Sequence, residues 1–140
     1  MNDRYLYRAK RTDSGEWITG YLLVNKKDFY ICENPYECMD EYSSLNGQSY
    51  GFGGFKFVDP STIYQCTGLK DKNGKLIWEN DIVKVHDDEE PCLIEWGEDT
   101  ARWNMTQYGS CVYDFDNYWS YEVEVIGSVI DNPELLEVGE

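Results

Sequence analysis

A run of four acidic side chains, with three more close by, is the part of the sequence best suited to ion chemistry. Carboxylate oxygens are the ligands that Ca²⁺ and Mg²⁺ prefer. A calcium loop of the EF-hand type requires alternating ligands, a central glycine and a final glutamate, and the run lacks that spacing. We therefore predict a solvated loop between strands and no metal site. The seven residues are Asp87, Asp88, Glu89, Glu90, Glu95, Glu98 and Asp99.

Two further carboxylates, Asp114 and Asp116, are spaced so that both would point to the same face of a strand. Paired carboxylates perform general acid–base chemistry when their surroundings separate their pKa values. The alternative is a pair exposed at a strand edge or in a loop. Nucleophile–base chemistry would depend on His86 alone, because the chain has no other histidine. We therefore predict that the protein is not an enzyme and has no catalytic residues.

The cysteines and glycines provide no recognisable site for a metal or a cofactor. The cysteines are odd in number, and none stands in the Cys-x-x-Cys spacing of structural zinc sites. Reduced thiols in an intracellular, cytoplasmic protein are the simplest interpretation. The glycines at 51–54 lack the spacing of phosphate-binding loops, so we expect no nucleotide and no other cofactor. The cysteines are Cys32, Cys38, Cys66, Cys92 and Cys111.

A dense group of aromatic side chains lies in the acidic part of the chain. Exposed Tyr and Trp are favoured anchors of protein interfaces, so we predict a binding surface here, with ordinary core packing as the alternative. Trp78 and Trp96, in alternating segments, are predicted to be core residues. The predicted interface residues are Trp103, Tyr108, Tyr113, Tyr118, Trp119 and Tyr121.

Charge is distributed unevenly along the chain. Residues 1–85 contain 11 Lys and Arg against 12 Asp and Glu, whereas residues 86–140 contain only Arg102 against 15 acidic residues, a net charge of −14. Direct nucleic-acid binding requires clustered Lys and Arg, which argues against it here. The acidic part fits either a solvated face or a surface for a basic partner. The chain has no long apolar run, so we expect no membrane span.

Alternating apolar and polar residues, with an aromatic content of 16%, predict a mainly β fold. Turn residues at 12–15 and 25–28 divide residues 5–32 into a β-meander of three strands. Asn34-Pro35 predicts a short helix up to residue 42. The Ser- and Gly-rich segment 43–57 is predicted to be either a mobile loop or an arm whose aromatic residues pack on a neighbouring molecule.

The strongest turn pattern is Asn73-Gly74, which is typical of a type I′ hairpin. Before it, Pro60 disfavours a helical conformation at Asp59 and predicts an extended entry. Strands are also expected at 82–85, 92–96, 103–115 with a turn at Gly109-Ser110, and 121–130, followed by a short helical turn. Together they predict a strongly bent sheet or an SH3-like partial barrel over residues 58–131. The predicted domains are 1–57, the meander and arm, and 58–140.

Two segments resemble the signature of the YopX-like proteins of phages and prophages. They are residues 58–85, VDPSTIYQCTGLKDKNGKLIWENDIVKV, and residues 121–136, YEVEVIGSVIDNPELL. The resemblance implies a phage or prophage origin and a cytoplasmic host setting, and it supplies no catalytic residues because the family has none assigned. Asn80 stands where the family usually has glycine, and Cys66 where tyrosine is frequent. Because Asn tolerates left-handed backbone conformations, we expect the turn at Asn80 to persist.

These features predict a non-enzymatic phage accessory protein that acts through protein contacts. The expected partners are further copies of the chain, in a homo-oligomer, or a basic host protein. A second hypothesis is an acidic mimic of nucleic acid that inhibits a host nuclease or DNA-binding protein. A third is a carboxylate-dependent metal enzyme, in which Asp114 and Asp116, or residues 87–90, would converge in a cleft.

Overall fold

The computed structural model of the chain describes residues 3–33, 55–85, 90–115 and 122–136. Within these ranges the protein is mainly β, with antiparallel sheets that are not closed into a barrel, short 3₁₀-helices and no α-helix, so the predicted fold class is confirmed. The 3₁₀-helices are Asp3–Tyr5, Pro60–Thr62 and Pro133–Leu136. The strands are β1 (Tyr7–Lys10), β2 (Trp17–Asn25), β3 (Asp28–Cys32), β4 (Phe55–Phe57), β5 (Tyr64–Lys70), β6 (Leu76–Trp78), β7 (Asp81–Lys84), β8 (Cys92–Gly97), β9 (Arg102–Gln107), β10 (Ser110–Asp114) and β11 (Glu124–Ser128).

The first compact unit, Tyr5–Gln65, contains the predicted meander. Strands β1, β2 and β3 pair antiparallel with their neighbours in the chain, while β4 adds to β3 and the start of β5 adds to β1. The first strand begins at Tyr7, because Tyr5 lies in a 3₁₀-helix. Alternate residues of these strands point to one face and bury it, as the period of two requires. The core of this unit is formed by Ala9, Ile18, Ile31 and Val58.

Residues 43–57 were predicted to be a loop or an arm, and the end of this segment forms strand β4 of the first unit. Strand β4 pairs antiparallel with β3, placing Phe55 opposite Cys32 and Phe57 opposite Tyr30. The Tyr30 ring lies 6.4 Å from that of Phe55 and 4.6 Å from that of Phe57, centroid to centroid. These two phenylalanines therefore contact their own chain. Residues 43–54 and the predicted helix before them lie outside the described residues.

The entry to β5 follows the prediction made from Pro60. Asp59 is extended, with φ −77° and ψ 115°, and it caps the 3₁₀-helix that Pro60 begins. Its carboxylate accepts a hydrogen bond from the backbone N–H of Ser61 at 3.0 Å. A proline at the first helical position loses no hydrogen bond, because that N–H has no partner inside a helix.

The second compact unit comprises Met1–Arg4 and Cys66–Glu140. Here the remainder of β5 pairs with β6, and five strands form an antiparallel sheet in the order β10-β9-β8-β7-β11. The predicted domain division between residues 57 and 58 stays a prediction. The buried core of this unit is Ile77, Val83, Val85, Cys92, Ile94, Met105, Phe115 and Val123.

The turn between β5 and β6 differs from the predicted type I′. Gly74 has a φ of 85°, but Asn73 is not among the described residues with positive φ, which both central residues of a type I′ turn require. The N–H of Gly74 donates to the carbonyl of Asp71 at 2.9 Å, and the N–H of Asp71 donates to the carbonyl of Lys75 at 2.8 Å. This is a three-residue loop, a type I turn closed by a glycine bulge. The Asp71 side chain explains the difference, because its Oδ1 accepts from the N–H groups of Asn73 and Lys75, both at 2.9 Å.

The turn at Asn80 persists as expected, with a φ of 64°. The N–H of Asn80 donates to the carbonyl of Ile94 at 2.7 Å, and its carbonyl accepts from the N–H of Val129 at 3.0 Å. The next residue, Asp81, is 1% exposed and accepts a hydrogen bond from the N–H of Trp78 at 2.8 Å. Asn80 thus takes its left-handed conformation in the two-residue connection between β6 and β7.

The cysteines differ in their bonding state. Cys32 is disulfide-bonded, so the prediction of reduced thiols is wrong for this residue. Cys66 and Cys92 are buried thiols outside any disulfide, and Cys111 is an exposed one. As for membrane segments, none of the helices in the described ranges is long and apolar enough to cross a bilayer.

Candidate functional site

The predicted interface residues that the structure describes are divided between core and surface. Trp103 on β9 and Tyr113 on β10 are half-buried and pack against the core of the second unit. Tyr108, at the end of the same hairpin, is 71% exposed. Tyr118, Trp119 and Tyr121 lie outside the described residues. The binding surface assigned to the whole group stays a prediction.

Trp96 is also exposed, although it was predicted to be a core residue. Trp78 is buried as predicted, whereas Trp96 is 43% exposed, so that second prediction is wrong. Trp96 lies opposite Trp103, with ring centroids 5.2 Å apart in an edge-to-face arrangement. Trp96 is the last residue but one of β8. Strand β7 pairs with β8 at Cys92 and Leu93, so the strand paired with β8 at Trp96 in the described sheet is β9.

The exposed Tyr108 is held at a tight turn. Tyr108 has a φ of 53° and Gly109 a φ of 81°, and the flanking residues Gln107 and Ser110 are paired. Two central residues with positive φ define a type I′ hairpin. This geometry therefore occurs at residues 108 and 109, one residue earlier than the turn predicted at Gly109-Ser110. The turn directs the tyrosine ring away from the sheet and into solvent.

A cavity of about 190 Å³ lies beside this turn, within the second unit. We call it the Tyr108 hollow. Its apolar lining comes from Leu93 on β8 and from two leucines of the last 3₁₀-helix, and its polar lining includes two carboxylates. The principal lining residues are Glu90, Leu93, Glu95, Tyr108, Leu135 and Leu136.

Hydrogen bonds position both carboxylates of the hollow. The Tyr108 hydroxyl donates to Oε2 of Glu90 at 2.8 Å, and the Gln107 side chain donates to the Glu90 carbonyl at 3.1 Å. The Thr106 hydroxyl donates to Oε1 of Glu95 at 2.8 Å. Glu95 therefore leans along β9, away from its register partner and towards the Tyr108 end of the sheet. Both carboxylates accept hydrogen bonds from neutral hydroxyl groups.

The other acidic candidates are more scattered. Glu98 and Asp99 are exposed in the turn between β8 and β9. Asp87, Asp88, Glu89 and Asp116 lie outside the described residues, as does the side chain of Asp114. Throughout the described part of the chain, no three His, Cys, Asp or Glu side chains are placed so that they could hold a metal ion.

Sequence reasoning selected Glu90, Glu95 and Tyr108 but missed the apolar half of the hollow. Leu93 alternates with the buried residues Cys92 and Ile94, which indicates that it faces the opposite side of the sheet. The sequence predicts a short helical turn that includes Leu135 and Leu136, but it predicts no contact between this turn and another element. No local pattern indicates that this turn would lie against β8.

Comparison with known proteins identifies one family. The model of a family described as YopX protein matches residues 6–137, nearly the whole chain. No curated protein matches the chain.

Proposed function

The chain belongs to the YopX family, and we propose that it is a phage or prophage accessory protein that binds another protein and catalyses no reaction. In this proposal it acts in the cytoplasm of the host cell. The observation that carries the proposal is Tyr108, whose largely exposed ring is held by its hydroxyl at the mouth of the Tyr108 hollow. Rigid, exposed tyrosines next to apolar depressions are typical anchors of protein interfaces.

The surroundings of Tyr108 favour binding over catalysis. The carboxylates beside it are tied to side-chain hydroxyls at 2.8 Å and have no described histidine, cysteine or further acid grouped with them for metal binding. A tyrosine that is hydrogen-bonded through its hydroxyl loses little side-chain entropy on binding, because its ring is already oriented. The apolar side chains beside it, Leu93, Leu135 and Leu136, offer surface whose removal from water favours binding. This combination suits a partner segment that lays an apolar and basic face across the hollow.

Self-association is the second part of the proposal. Phe57 is 54% exposed on β4, which is the outermost of the strands described in the first unit. An exposed aromatic side chain on such a strand can pack against the same residue of a second copy. Light scattering on the purified chain tests this part. A multimer that Phe57→Asp converts to monomers is the expected result, and a wild-type protein that is monomeric at high concentration would contradict it.

An affinity experiment tests the binding of another protein. Tagged wild-type protein, Tyr108→Ala and Tyr5→Ala are incubated with host lysate and their bound proteins compared. Tyr5 is the matched control, because it is another tyrosine that is 57% exposed and lies outside the hollow. We expect a partner that wild type and Tyr5→Ala retain and Tyr108→Ala loses. A partner retained equally by all three proteins, or no partner at all, would contradict the proposal.

Mimicry of nucleic acid is a second candidate function. The observation that favours it is the charge of residues 86–140, in which 15 acidic residues accompany one basic residue. Carboxylates that imitate phosphates would bind a basic host protein mainly through electrostatics, so affinity would fall steeply with salt. Repeating the capture at low and high salt separates the candidates. A complex that Tyr108→Ala loses supports anchoring at Tyr108, whereas one that is lost at high salt and retained by Tyr108→Ala supports mimicry.

A further inference from the structure

The Tyr108 hollow is too small for a nucleotide or a typical cofactor. Ligand pockets usually measure about 300–1,000 Å³, whereas the hollow measures about 190 Å³. That volume corresponds to the share of roughly six water molecules in the liquid. It suits a single long side chain entering from a partner.

The charge of the hollow specifies the type of side chain. Glu90 and Glu95 contribute two carboxylates, and no Lys, Arg or His is among the described lining residues. The one basic residue of 86–140, Arg102, begins β9, whereas the hollow lies at the other end of that strand. A cationic group is therefore the complement that the described lining of the hollow lacks. Two carboxylates with an apolar floor would bind a cation attached to a long aliphatic stem.

The chemistry of the hollow favours arginine over lysine. A guanidinium group has five N–H donors in a planar fork, so it can engage two carboxylates at once, whereas an ammonium group is a compact point charge. The Tyr108 ring is 71% exposed, and a guanidinium stacks on aromatic rings more readily than an ammonium does. Leu135 and Leu136 provide the surface for the stem.

We propose that the Tyr108 hollow binds one arginine side chain of the partner protein, presented on a segment with apolar neighbours. This rests on the proposed protein-binding function and specifies the chemistry of the partner. The guanidinium lies between Glu90 and Glu95 and stacks on Tyr108, while its stem covers the leucines. The binding is noncovalent, and no group is transferred.

Peptide titrations on the full chain, labelled with ¹⁵N, test this proposal. The probes are acetyl-Ala-Leu-Arg-Leu-Ala-amide and the same peptide with citrulline, which keeps the shape of arginine without its charge. We expect the arginine peptide to shift the amides of Tyr108, Gly109 and Leu135, and to bind about tenfold more tightly than the citrulline peptide. A lysine version should bind more weakly than arginine. Equal affinity for arginine and citrulline, or for arginine and lysine, would overturn the proposal.

Matched variants separate the hollow from general charge attraction. Glu90→Gln and Glu95→Gln keep the shape of each side chain and should each weaken the arginine peptide about tenfold. Glu134→Gln removes an equal charge from an exposed position next to Leu135 and should leave binding unchanged. If all three variants weaken binding equally, the hollow is not the site. Thermal unfolding of each variant verifies that it is folded.

The two proposals fail in distinguishable ways. If host lysate yields a partner that depends on Tyr108 but the arginine peptide does not bind, the arginine inference is wrong and the protein-binding function stands. If the arginine peptide binds as expected and no partner is captured, the inference about the hollow is supported and the proposed function is contradicted.

Discussion

The carboxylate of Asp71 accepts a hydrogen bond from the backbone N–H of Val125, 54 residues later in the chain, at 2.9 Å. The same side chain holds the β5–β6 loop with its other oxygen. Beside it, the N–H of Lys72 donates to the carbonyl of Val123 at 3.0 Å. The two segments that resemble the YopX signature are therefore physically joined, and Asp71 contributes a side-chain hydrogen bond to the contact that also includes the pairing of β7 with β11.

Replacing Asp71 should destabilise the second unit strongly. Asp71→Ala leaves three backbone N–H groups without their acceptor, and hydrogen bonds to charged groups contribute about 1.5–3 kcal/mol each without being additive. We expect a loss of about 3 kcal/mol or more in the free energy of unfolding. Urea unfolding followed by tryptophan fluorescence measures it, with the exposed Asp99→Ala as control. Equal effects of the two substitutions would show that the Asp71 network contributes little.

Gly20 is expected to tolerate no side chain. A Cβ at this position would overlap the backbone carbonyl of Cys32 and come within 2.9 Å of the Glu33 Cα. Backbone cannot move aside cheaply, so Gly20→Ala should cost about 3 kcal/mol. Gly15→Ala is the control, because Gly15 has a φ of 74° and open space around it. Left-handed strain alone should cost about 1 kcal/mol there, and thermal unfolding that ranks the two in the opposite order would refute the steric argument.

At Asn80 the side chain matters less than the backbone conformation. Its φ of 64° is accessible to glycine and asparagine at low cost but is strained for a β-branched residue. Asn80→Gly should leave the unfolding midpoint nearly unchanged, while Asn80→Val should lose about 1–2 kcal/mol. Both variants keep the backbone hydrogen bonds to Ile94 and Val129, so chemical denaturation isolates the conformational strain. A Val variant as stable as the Gly variant would contradict the left-handed assignment.

The ion pair of Arg11 and Asp13 should be visible in the titration of Asp13. The guanidinium donates to both carboxylate oxygens, at 2.9 and 2.7 Å, and these hydrogen bonds hold the pKa of Asp13 below its ordinary value. Because the pKa is lower in the folded state, the stabilisation is present above the pKa of the unfolded chain, about 4, and is lost as the pH falls through the folded value. Arg11→Gln should raise the pKa of Asp13 towards its ordinary value.

Carboxyl ¹³C NMR of the folded protein measures that pKa directly. The exposed pair is screened by water and salt, so its contribution to stability is expected to be small even though the titration shift is measurable. High salt should reduce the shift in wild type and have little effect in Arg11→Gln. An unchanged pKa of Asp13 in the variant would show that the ion pair does not form in solution.

Much of the fold follows from local patterns. The meander, the extended entry at Asp59 and the left-handed Asn80 all depend on residues within one turn or strand, where alternation and backbone preference act directly. The turn at Asn73-Gly74 shows where a local rule is insufficient. The dipeptide correctly marks the loop, but the carboxylate of Asp71 accepts from the N–H groups of Asn73 and Lys75 and so favours a different turn type, while its other oxygen bonds to β11.

The candidate site was only half predictable for the same reason. Alternation along β8 puts Leu93 and Glu95 on one face, but burial depends on what covers that face. Trp96 follows the same alternation as the buried Ile94 and is nevertheless exposed. In the described sheet, β7 pairs with β8 at Cys92 and Leu93, before Trp96 is reached. No spacing rule predicts at which residue a strand loses its pairing with a neighbouring strand.

The sequence by itself determined the mainly β class, the places where the chain turns and the family to which it belongs, since each depends on residues that are close along the chain. The tertiary structure alone decided which carboxylates meet an apolar surface. Leu135 and Leu136 line the hollow beside Glu90 and Tyr108 only because the chain after β11 returns to the sheet. Contacts between distant segments depend on packing the whole core at once, and that free energy is not encoded in any single stretch of residues.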